Sequence, residues 1–242
     1  MRIECCARSD QGRVRTSNED SYVASPASGT FLVADGMGGH AAGEIASRIA
    51  ASTVEEVVSG GGPGSGMEDL LRMAVRAANT RVFETQRLQP EYGGMGSTLT
   101  VLALRADRYY IAQVGDSRAY LFRDKALRQL TRDHSLVWPL FENGVLSKDD
   151  ISRHPQKNLI TRSIGTHAEI EADLVNGAAC EGDIFLLCSD GLTDVLLDRD
   201  ILQVITSADR NPQKLCELLV NAANSGGGPD NVTVVAVHLA PG

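Results

Sequence analysis

The sequence predicts an α+β fold in which antiparallel sheets are covered by helices around a layered core. Three observations favour this class: strand-like segments occur in clusters, helices occur as successive pairs, and no internal repeat is visible. The chain has 242 residues, of which 43% are hydrophobic and 22% charged, an ordinary composition for a globular protein. The Gly- and Ser-rich connection at 59–66 is too short to separate domains, so we expect residues 1–242 to form one domain.

Apolar patterning predicts the individual elements. Continuous or alternating apolar segments predict strands at 30–34, 97–104, 108–114, 118–122, 184–188 and 232–239. Helices are predicted at 43–58, at 68–88, and from Asn211-Pro212, an N-cap followed by proline. The predicted apolar stripe of the first helix consists of Ile45, Ile49, Val54, Val57 and Val58. Residues 133–165 have weak periodicity, which predicts an irregular surface excursion of the kind that often carries function.

Charge and cysteine content restrict the setting. A net charge of −8 and a pI near 5.1 argue against nucleic acid or an anionic membrane as the main partner. The five cysteines are odd in number and form no C-x-x-C, so we expect reduced thiols and no disulfide framework. The first ten residues carry no apolar signal core and no segment approaches the ~20 apolar residues of a membrane span, so we expect a cytoplasmic protein.

Four aspartates stand where an apolar strand meets a glycine-rich turn. They are Asp35 in FLVADGMGGH, Asp116 in YYIAQVGDSRAYL, Asp190 in DIFLLCSDGLTD and Asp230 in GGGPDNVTVVAV. Strand ends of this kind on one rim of a sheet would bring the carboxylates together, and their repulsion would favour bound cations. Oxygen ligands without a His/Cys cluster favour Mg²⁺ or Mn²⁺ over zinc. Asp is also a common turn residue, which is the alternative for any one of the four.

The glycine-rich turn after Asp35 has two interpretations. Gly36 to Ala41 fits the G-x-G-x-x-A of dinucleotide-binding folds, but the second strand and the acidic residue required ~20 positions later are missing. In the preferred interpretation, the Gly36 carbonyl ligates a metal beside Asp35, and His40 lies close enough to act in catalysis.

The segment GRVRTSNED combines cations with a pair of carboxylates. The planar fork of Arg15 suits bidentate binding of a phosphate, and Glu19 and Asp20 are suited to holding metal-bound water. Read alone, the segment is better explained as a solvated charged turn.

Other phosphate chemistries lack their signatures. No cysteine is followed by five residues and an arginine, and no Walker A sequence is present. Asp198-Arg199-Asp200 resembles the D-x-D of aspartyl-phosphate enzymes, but it stands at a predicted helix start, not at a strand end. A metal-activated water is the nucleophile that remains.

Six motifs in order resemble the PP2C (PPM) family of metal-dependent serine/threonine protein phosphatases. They are RTSNED (15–20), VADGMGGH (33–40), GSTLTVLAL (96–104), VGDSRAYL (114–121), LLCSDGLTD (186–194) and PDNVTVVAV (229–237). The match extends from about residue 2 to 239 and is similar to the compact bacterial members. The resemblance implies a central sandwich of two antiparallel sheets, flanked on both sides by antiparallel helix pairs.

The resemblance also implies a metal centre of two to three Mn²⁺ or Mg²⁺ ions per chain. By motif position, Asp35 would bridge two metals, with the Gly36 carbonyl on the first and Asp190 and Asp230 on the second. Glu19 would reach the first metal through water.

Further roles follow from the same resemblance. Asp116 would join a third metal, Arg15 would bind phosphate and His40 would be the general acid. Residues 133–165 correspond to the family's variable flap, in which about His134 to Arg162 would contact substrate. Within the flap, we expect a substrate peptide to contact Trp138, Phe141, Arg153 and Lys157.

The function implied is hydrolysis of phosphoserine and phosphothreonine on proteins, in signal transduction, by a monomer that opposes a bacterial Ser/Thr kinase. Two alternatives remain open on the sequence. One is a catalytically weak regulator of the same fold that binds partners, and the other is a hydrolase acting on the phosphorylated regulator of a partner-switching circuit.

Overall fold

Two antiparallel sheets stack face to face at the centre of the structure, and helices cover both outer faces. The computed structural model describes residues 1–38, 42–62 and 65–242, apart from the side chains of Asp149, Ser152 and Arg153. Within these ranges, no helix is both long and apolar enough to cross a membrane.

The strands of the described residues pair antiparallel throughout. They are β1 (Arg2–Asp10), β2 (Asp20–Ser25), β3 (Thr30–Met37), β4 (Gly96–Ser97), β5 (Leu99–Arg105), β6 (Arg108–Val114), β7 (Arg118–Arg123), β8 (Ala126–Gln129), β9 (Asp173–Ala178), β10 (Ile184–Cys188) and β11 (Val232–Ala240). The first sheet has the order β1-β11-β10-β7-β8. The second has the order β2-β3-β5-β6-β9, with the short β4 beside β3. The predicted α+β class with antiparallel sheets is confirmed.

Two helices cover the outer face of each sheet, and three short α-helices lie in the connections of the described chain. They are α1 (Ala42–Gly60), α2 (Met67–Leu88), α3 (Trp138–Glu142), α4 (Lys148–Arg153), α5 (Asp190–Thr193), α6 (Asp198–Ser207) and α7 (Pro212–Ser225). The side chain of Asn211 accepts a hydrogen bond from the Lys214 N–H at 3.0 Å, and Pro212 occupies the first turn, so the predicted start of α7 is confirmed.

Three apolar layers result from the alternation of side chains along the strands. In β3, Phe31 and Val33 face the other sheet, while Leu32 and Ala34 face α1 and α2. Both faces of β3 are therefore buried, which explains its continuous apolar sequence. A third layer, with Tyr120 among its members, lies between the first sheet and helices α6 and α7.

Four strands were missed by the sequence patterning: β1, β2, β8 and β9. Each of them is an edge strand of its sheet. Edge strands are half exposed and carry polar side chains, so the apolar signal that reveals an interior strand is weak in them. The predicted strands all occupy interior positions.

The apolar stripe predicted for α1 packs against the core, but it is not the most buried face of the helix. Val54 and Val58 are buried, but Ile45, Ile49 and Val57 are only partly buried. The most buried positions also include the small residues Ala42, Ala46, Ala50 and Ala51. Small side chains allow α1 to approach β3 and α2 closely, and size-weighted patterning does not detect them.

The excursion at 133–165, called the flap from here on, contains the two short helices α3 and α4, which the sequence did not predict. Its two ends are joined side by side, because the Leu136 N–H donates to Leu159 O at 2.9 Å and the Thr161 N–H donates to His134 O at 2.8 Å. A small apolar cluster around Trp138 gives the flap its own core.

Candidate active site

Carboxylates from both sheets meet at one end of the sandwich. Asp35 lies near the end of β3, Asp116 lies in the turn between β6 and β7, and Asp190 is the first residue of α5, directly after β10. Burial raises the pKa of Asp35 well above its usual range, and the charges of Asp20, Asp190 and Asp116 raise it further. Burial, with Asp116 among the neighbouring charges, likewise raises the pKa of Asp190. The structure therefore brings three of the four predicted aspartates into one buried acidic cluster.

Asp230, the fourth predicted aspartate, lies at the outer side of this cluster. Its carboxylate Oδ2 accepts a hydrogen bond from Arg15 Nη2 at 2.6 Å, and its charge acts on Asp190 and Glu19. The hydrogen bond to Asp230 raises the pKa of Arg15. The Arg15 side chain is 54% exposed, so a cation stands at the solvent side of the acidic cluster.

Asn231 holds the segment that carries Arg15 and Glu19. Its side-chain Nδ2 donates to Gln11 O at 2.9 Å and to Ser17 O at 2.8 Å, and its Oδ1 accepts from the Glu19 N–H at 2.8 Å. These three bonds fix the loop between β1 and β2 against the residue that follows Asp230. Sequence reasoning missed this role, although Asn231 stands in the motif PDNVTVVAV.

Asp20 is more central to the cluster than the sequence indicated. It lies directly opposite Asp35 in the β2–β3 pairing. Ser189 Oγ donates to its Oδ2 at 2.9 Å, while its buried Oδ1 has no hydrogen-bond partner among the described residues. Burial raises the pKa of Asp20 to about 6. A buried carboxylate oxygen without a donor is a position where a cation or a cation-bound water is favourable.

The glycine at position 36 is required by close packing. A Cβ on Gly36 would lie 2.0 Å from Gly43 O and 2.6 Å from Glu19 O. A Cβ on Gly43 would lie 2.2 Å from Glu19 Oε2. The start of α1 thus approaches the backbone of β3 and the side chain of Glu19 closely. This packing constrains Gly36 in addition to the metal-ligand role predicted for its carbonyl.

The turn that carries Asp116 is held by His134 at the root of the flap. His134 Nδ1 accepts from the Gly115 N–H at 3.2 Å, and the His134 N–H donates to Gly115 O at 2.9 Å. Burial raises the pKa of Asp116 to about 7.

Arg118 and Asp133 form a buried ion pair beside this turn. The Arg118 Nε lies 3.0 Å from both carboxylate oxygens of Asp133, and its Nη2 lies 2.6 Å from Oδ2. Gln129 Nε2 also donates to Asp133 at 3.0 Å. The two charged side chains are 16% and 5% exposed, so the pair is largely removed from solvent.

The flap is docked onto the segment between α5 and α6 by lysines. Lys157 Nζ lies 2.8 Å from Asp194 Oδ1, and Asn158 Nδ2 donates to Asp194 Oδ2 at 3.3 Å. Lys148 Nζ lies 2.5 Å from Asp198 Oδ2. A cavity of about 130 Å³ lies beneath the flap and reaches the acidic cluster. Burial is the main cause of the raised pKa values of Asp190 and Asp116, and the charge of Asp194 raises both further. Sequence reasoning missed Asp194.

Side chains that the sequence assigned to peptide contact have other partners in the flap. Trp138 is only 6% exposed, its Nε1–H donates to Glu142 Oε1 at 3.1 Å, and the Arg118 guanidinium lies 5.9 Å from its ring centroid. Trp138 therefore belongs to the flap core, and it also lines the cavity beneath the flap, so its contact with a peptide stays a prediction. Lys157 is engaged with Asp194, and the side chain of Arg153 lies outside the described part of the chain, as does the whole of His40.

The donor set of the cluster fits a hard divalent cation. It consists of carboxylates, with Asp20 Oδ1 unpartnered and the ionised forms disfavoured by burial. Among the described residues, no group of three or more His, Cys, Asp and Glu side chains is arranged so that it could hold a metal ion by itself. Since Mg²⁺ and Mn²⁺ retain several waters, a small number of direct protein ligands is sufficient.

The metal-free protein is expected to lose stability as pH rises from about 4 to about 7. Burial holds the pKa of Asp20 at about 6 and that of Asp116 at about 7, against 3.8 in the unfolded chain. The folded state therefore binds more protons in this window, and its free energy of unfolding falls by up to about 1.4 kcal/mol per unit of pKa shift. Urea unfolding at a series of pH values measures this loss.

A pair of Asn variants provides the control for this pH dependence. Asp116→Asn removes one of the two groups, so its stability should fall less steeply with pH, whereas Asn at the exposed Asp107 should leave the slope unchanged. Mn²⁺ should flatten the slope as well, because a bound cation favours ionised carboxylates. Equal slopes in the two variants would contradict the assignment of the effect to the cluster.

Two stacked antiparallel sheets with an acidic cluster at one shared end are the features that the sequence motifs led us to expect of a metal-dependent phosphatase fold. Residues 11–218 match the family described as Protein phosphatase 2C, and the chain belongs to this family. The resemblance found in the sequence motifs is thereby confirmed.

Individual relatives agree with this membership. The chain is 41% identical over 239 residues to the serine/threonine protein phosphatase PstP of Mycobacterium tuberculosis, covering 98% of this chain but 45% of PstP. It thus spans about half the length of that relative. It is 35% identical to the serine/threonine phosphatase stp of Listeria monocytogenes, covering 96% of this chain and 94% of stp. The crystal structure of the PstP catalytic domain with two manganese ions superimposes with a TM-score of 0.90 at 37% identity, covering 99% of both chains.

Proposed function

We propose that this protein is a metal-dependent phosphatase that hydrolyses phosphoserine and phosphothreonine on proteins and opposes a bacterial Ser/Thr kinase. The observation that carries the proposal is the buried cluster of Asp20, Asp35, Asp116 and Asp190, contributed by both sheets, with Arg15 at its solvent side. Membership of the Protein phosphatase 2C family and the manganese ions of a related catalytic domain support it. We further propose that residues 1–242 act as one monomeric domain in the cytoplasm.

Two Mn²⁺ or Mg²⁺ ions would be held by Asp35, the Gly36 carbonyl, Asp190 and Asp230, with Glu19 acting through water. When bound, such a pair lowers the pKa of a water so that it can attack phosphorus at neutral pH. The chain's own part is to hold these carboxylates in fixed positions before substrate arrives.

Arg15 and His40 supply the remaining steps. Arg15 is exposed enough to bind the phosphoryl oxygens with N–H groups other than the one bonded to Asp230, and it offsets charge in the transition state. His40, assigned by its position in VADGMGGH, donates a proton to the departing serine or threonine oxygen. General acid assistance of this kind contributes roughly 10²–10⁴-fold.

The test is phosphate release from a phosphothreonine peptide by the chain of residues 1–242. Release should require Mn²⁺ or Mg²⁺, stop in excess chelator and return when metal is restored. Undiminished turnover in chelator would overturn the metal mechanism, and binding of the phosphopeptide without turnover in Mn²⁺ would favour a partner-binding regulator.

A third cation is expected beside Asp116 and Asp190. Asp116→Ala should abolish the weakest Mn²⁺ site and lower turnover, while the two tighter sites remain, because Asp116 lies at the flap side of the cluster. Isothermal titration calorimetry measures the number of sites. Loss of all tight binding would instead assign Asp116 to the central pair.

The flap is expected to select substrates without performing the chemistry. It contributes none of the carboxylates assigned to the central metal pair, yet it roofs the cavity that leads to them. Exchanging about His134 to Arg162 for the flap of a relative should change kcat/KM between phosphopeptides, while p-nitrophenyl phosphate hydrolysis changes much less. A parallel loss on both substrates would mean that the flap supports the catalytic site.

A further inference from the structure

The β-ladder between β3 and its neighbours is interrupted beside Asp35. Pairing of Gly36 with Ser97 and of Val33 with Thr100 sets Thr98 directly opposite Asp35. The Thr98 N–H donates to Asp35 O at 2.8 Å, as in a regular ladder. The return bond is different, because the Asp35 N–H donates to the side-chain Oγ1 of Thr98 at 2.9 Å. The Thr98 carbonyl instead accepts from Ser97 Oγ at 2.7 Å.

The same hydroxyl reaches the turn that carries Asp116. Thr98 Oγ1 lies 2.7 Å from the Oγ of Ser117, the residue that follows Asp116. Ser117 is fixed in turn, since its carbonyl accepts from Gln113 Nε2 at 2.7 Å and from Thr100 Oγ1 at 3.1 Å. One hydroxyl therefore joins the backbone of Asp35 to the neighbour of Asp116.

The methyl group of Thr98 contacts the other side of this turn. Gly115 has φ +99°, and a Cβ at that position would lie 2.7 Å from both Cβ and Cγ2 of Thr98. Thr98 is 1% exposed and Ser117 is fully buried, so water does not compete for these contacts. Both branches of the threonine side chain are thus used, the hydroxyl on Ser117 and the methyl on Gly115.

Repulsion between the carboxylates gives these contacts their importance. Asp35 and Asp116 are carboxylates of one cluster and their charges act on each other, so the two side chains would separate if their backbones were free to move. The two carboxylates stay in fixed positions only if packing and hydrogen bonds hold their side-chain rotamers and their backbone.

We propose that Thr98 is a positioning residue, which sets the distance between Asp35 and Asp116 by bonding to the backbone of one and to the turn of the other. The expected effect of Thr98 on cation binding rests on the proposed function. The structural part of the proposal concerns the metal-free protein.

Three variants separate positioning from general stability. Thr98→Val keeps the shape but removes the hydroxyl, and Thr98→Ser keeps the hydroxyl but removes the methyl. Thr53→Val is the matched control: Thr53 is also fully buried and its Oγ1 donates to Ile49 O at 2.7 Å, but it lies three turns along α1.

The first measurement is amide hydrogen exchange by NMR in the metal-free protein. In Thr98→Val, the Asp35 N–H has no acceptor, so its exchange should accelerate by at least about tenfold relative to neighbouring β3 amides. Thr98→Ser should stay near wild type, and Thr53→Val should change the Asp35 amide no more than its neighbours. Unchanged exchange at Asp35 in Thr98→Val would overturn the proposal.

The second measurement is Mn²⁺ binding by calorimetry. Thr98→Val should weaken binding by about tenfold or more, Thr98→Ser should retain most of the affinity, and Thr53→Val should retain all of it. Wild-type affinity in Thr98→Val, or an equal loss in Thr53→Val, would overturn the positioning role. If the wild-type chain itself bound no Mn²⁺, the proposed function would fail, while amide exchange would still decide the role of Thr98.

Discussion

Asp35→Asn is expected to lower phosphopeptide hydrolysis by at least about 10³-fold, a loss of roughly 4 kcal/mol of transition-state stabilisation. Asp35 is a member of the acidic cluster on which the charges of Asp20, Asp190 and Asp116 all act. A neutral amide at this position offers one neutral oxygen in place of the charged carboxylate that would help to hold the proposed metal pair. Initial rates at saturating Mn²⁺ measure the effect.

Stability measurements distinguish this loss from unfolding. Because burial and like charges raise the pKa of Asp35, its ionised form is unfavourable in the metal-free fold. The metal-free Asp35→Asn variant should therefore be at least as stable as wild type near pH 7. The exposed control Asp107→Asn should keep full activity. Retained turnover in Asp35→Asn would remove Asp35 from the catalytic centre.

Arg118→Met is expected to lower the free energy of unfolding by about 3–5 kcal/mol, because it leaves Asp133 buried without its cation. Asp133 is 5% exposed and is bonded by three Arg118 contacts. Burial raises the pKa of Asp133, and the Arg118 guanidinium opposes this shift. Guanidinium unfolding at pH 7 measures the loss, and the sole tryptophan, Trp138, lies close enough to Arg118 to report flap displacement by fluorescence.

A double-mutant cycle gives the control. Arg118→Met combined with Asp133→Asn removes both charges, so the pair should cost clearly less than the sum of the two single variants. Additive losses would show that the two side chains contribute independently, through packing alone.

Interior strands and motif aspartates were predictable because their signals are local. The strand at 184–188 is apolar at every position, and Asp190 follows it within two residues. Edge strands such as β1 and β9 escaped prediction because one side of each is open to solvent and tolerates charge.

The supporting residues of the site were not predictable, since their roles arise from contacts between distant segments. Asn231 bonds Gln11 and Ser17, and Thr98 bonds Asp35, with separations of more than 60 residues in each case. The sequence GSTLTVLAL does not reveal which threonine simply forms part of a strand and which one accepts a backbone N–H with its side chain. The metal roles of the aspartates and the role of His40 stay predictions.

The pairing of β1 with β11 has a consequence for biosynthesis. Residues 2–10 form their ladder with residues 232–240, and Asp230 lies just before that second strand. A ribosome therefore releases β1 long before its partner exists, and the unpaired strand must stay unaggregated through more than 200 further residues. Its four charged side chains, Arg2, Glu4, Arg8 and Asp10, keep the unpaired strand hydrated during that interval. Asp230 joins the acidic cluster only once the segment before β11 has been synthesised, so the proposed phosphatase activity is expected to be absent from shorter chains.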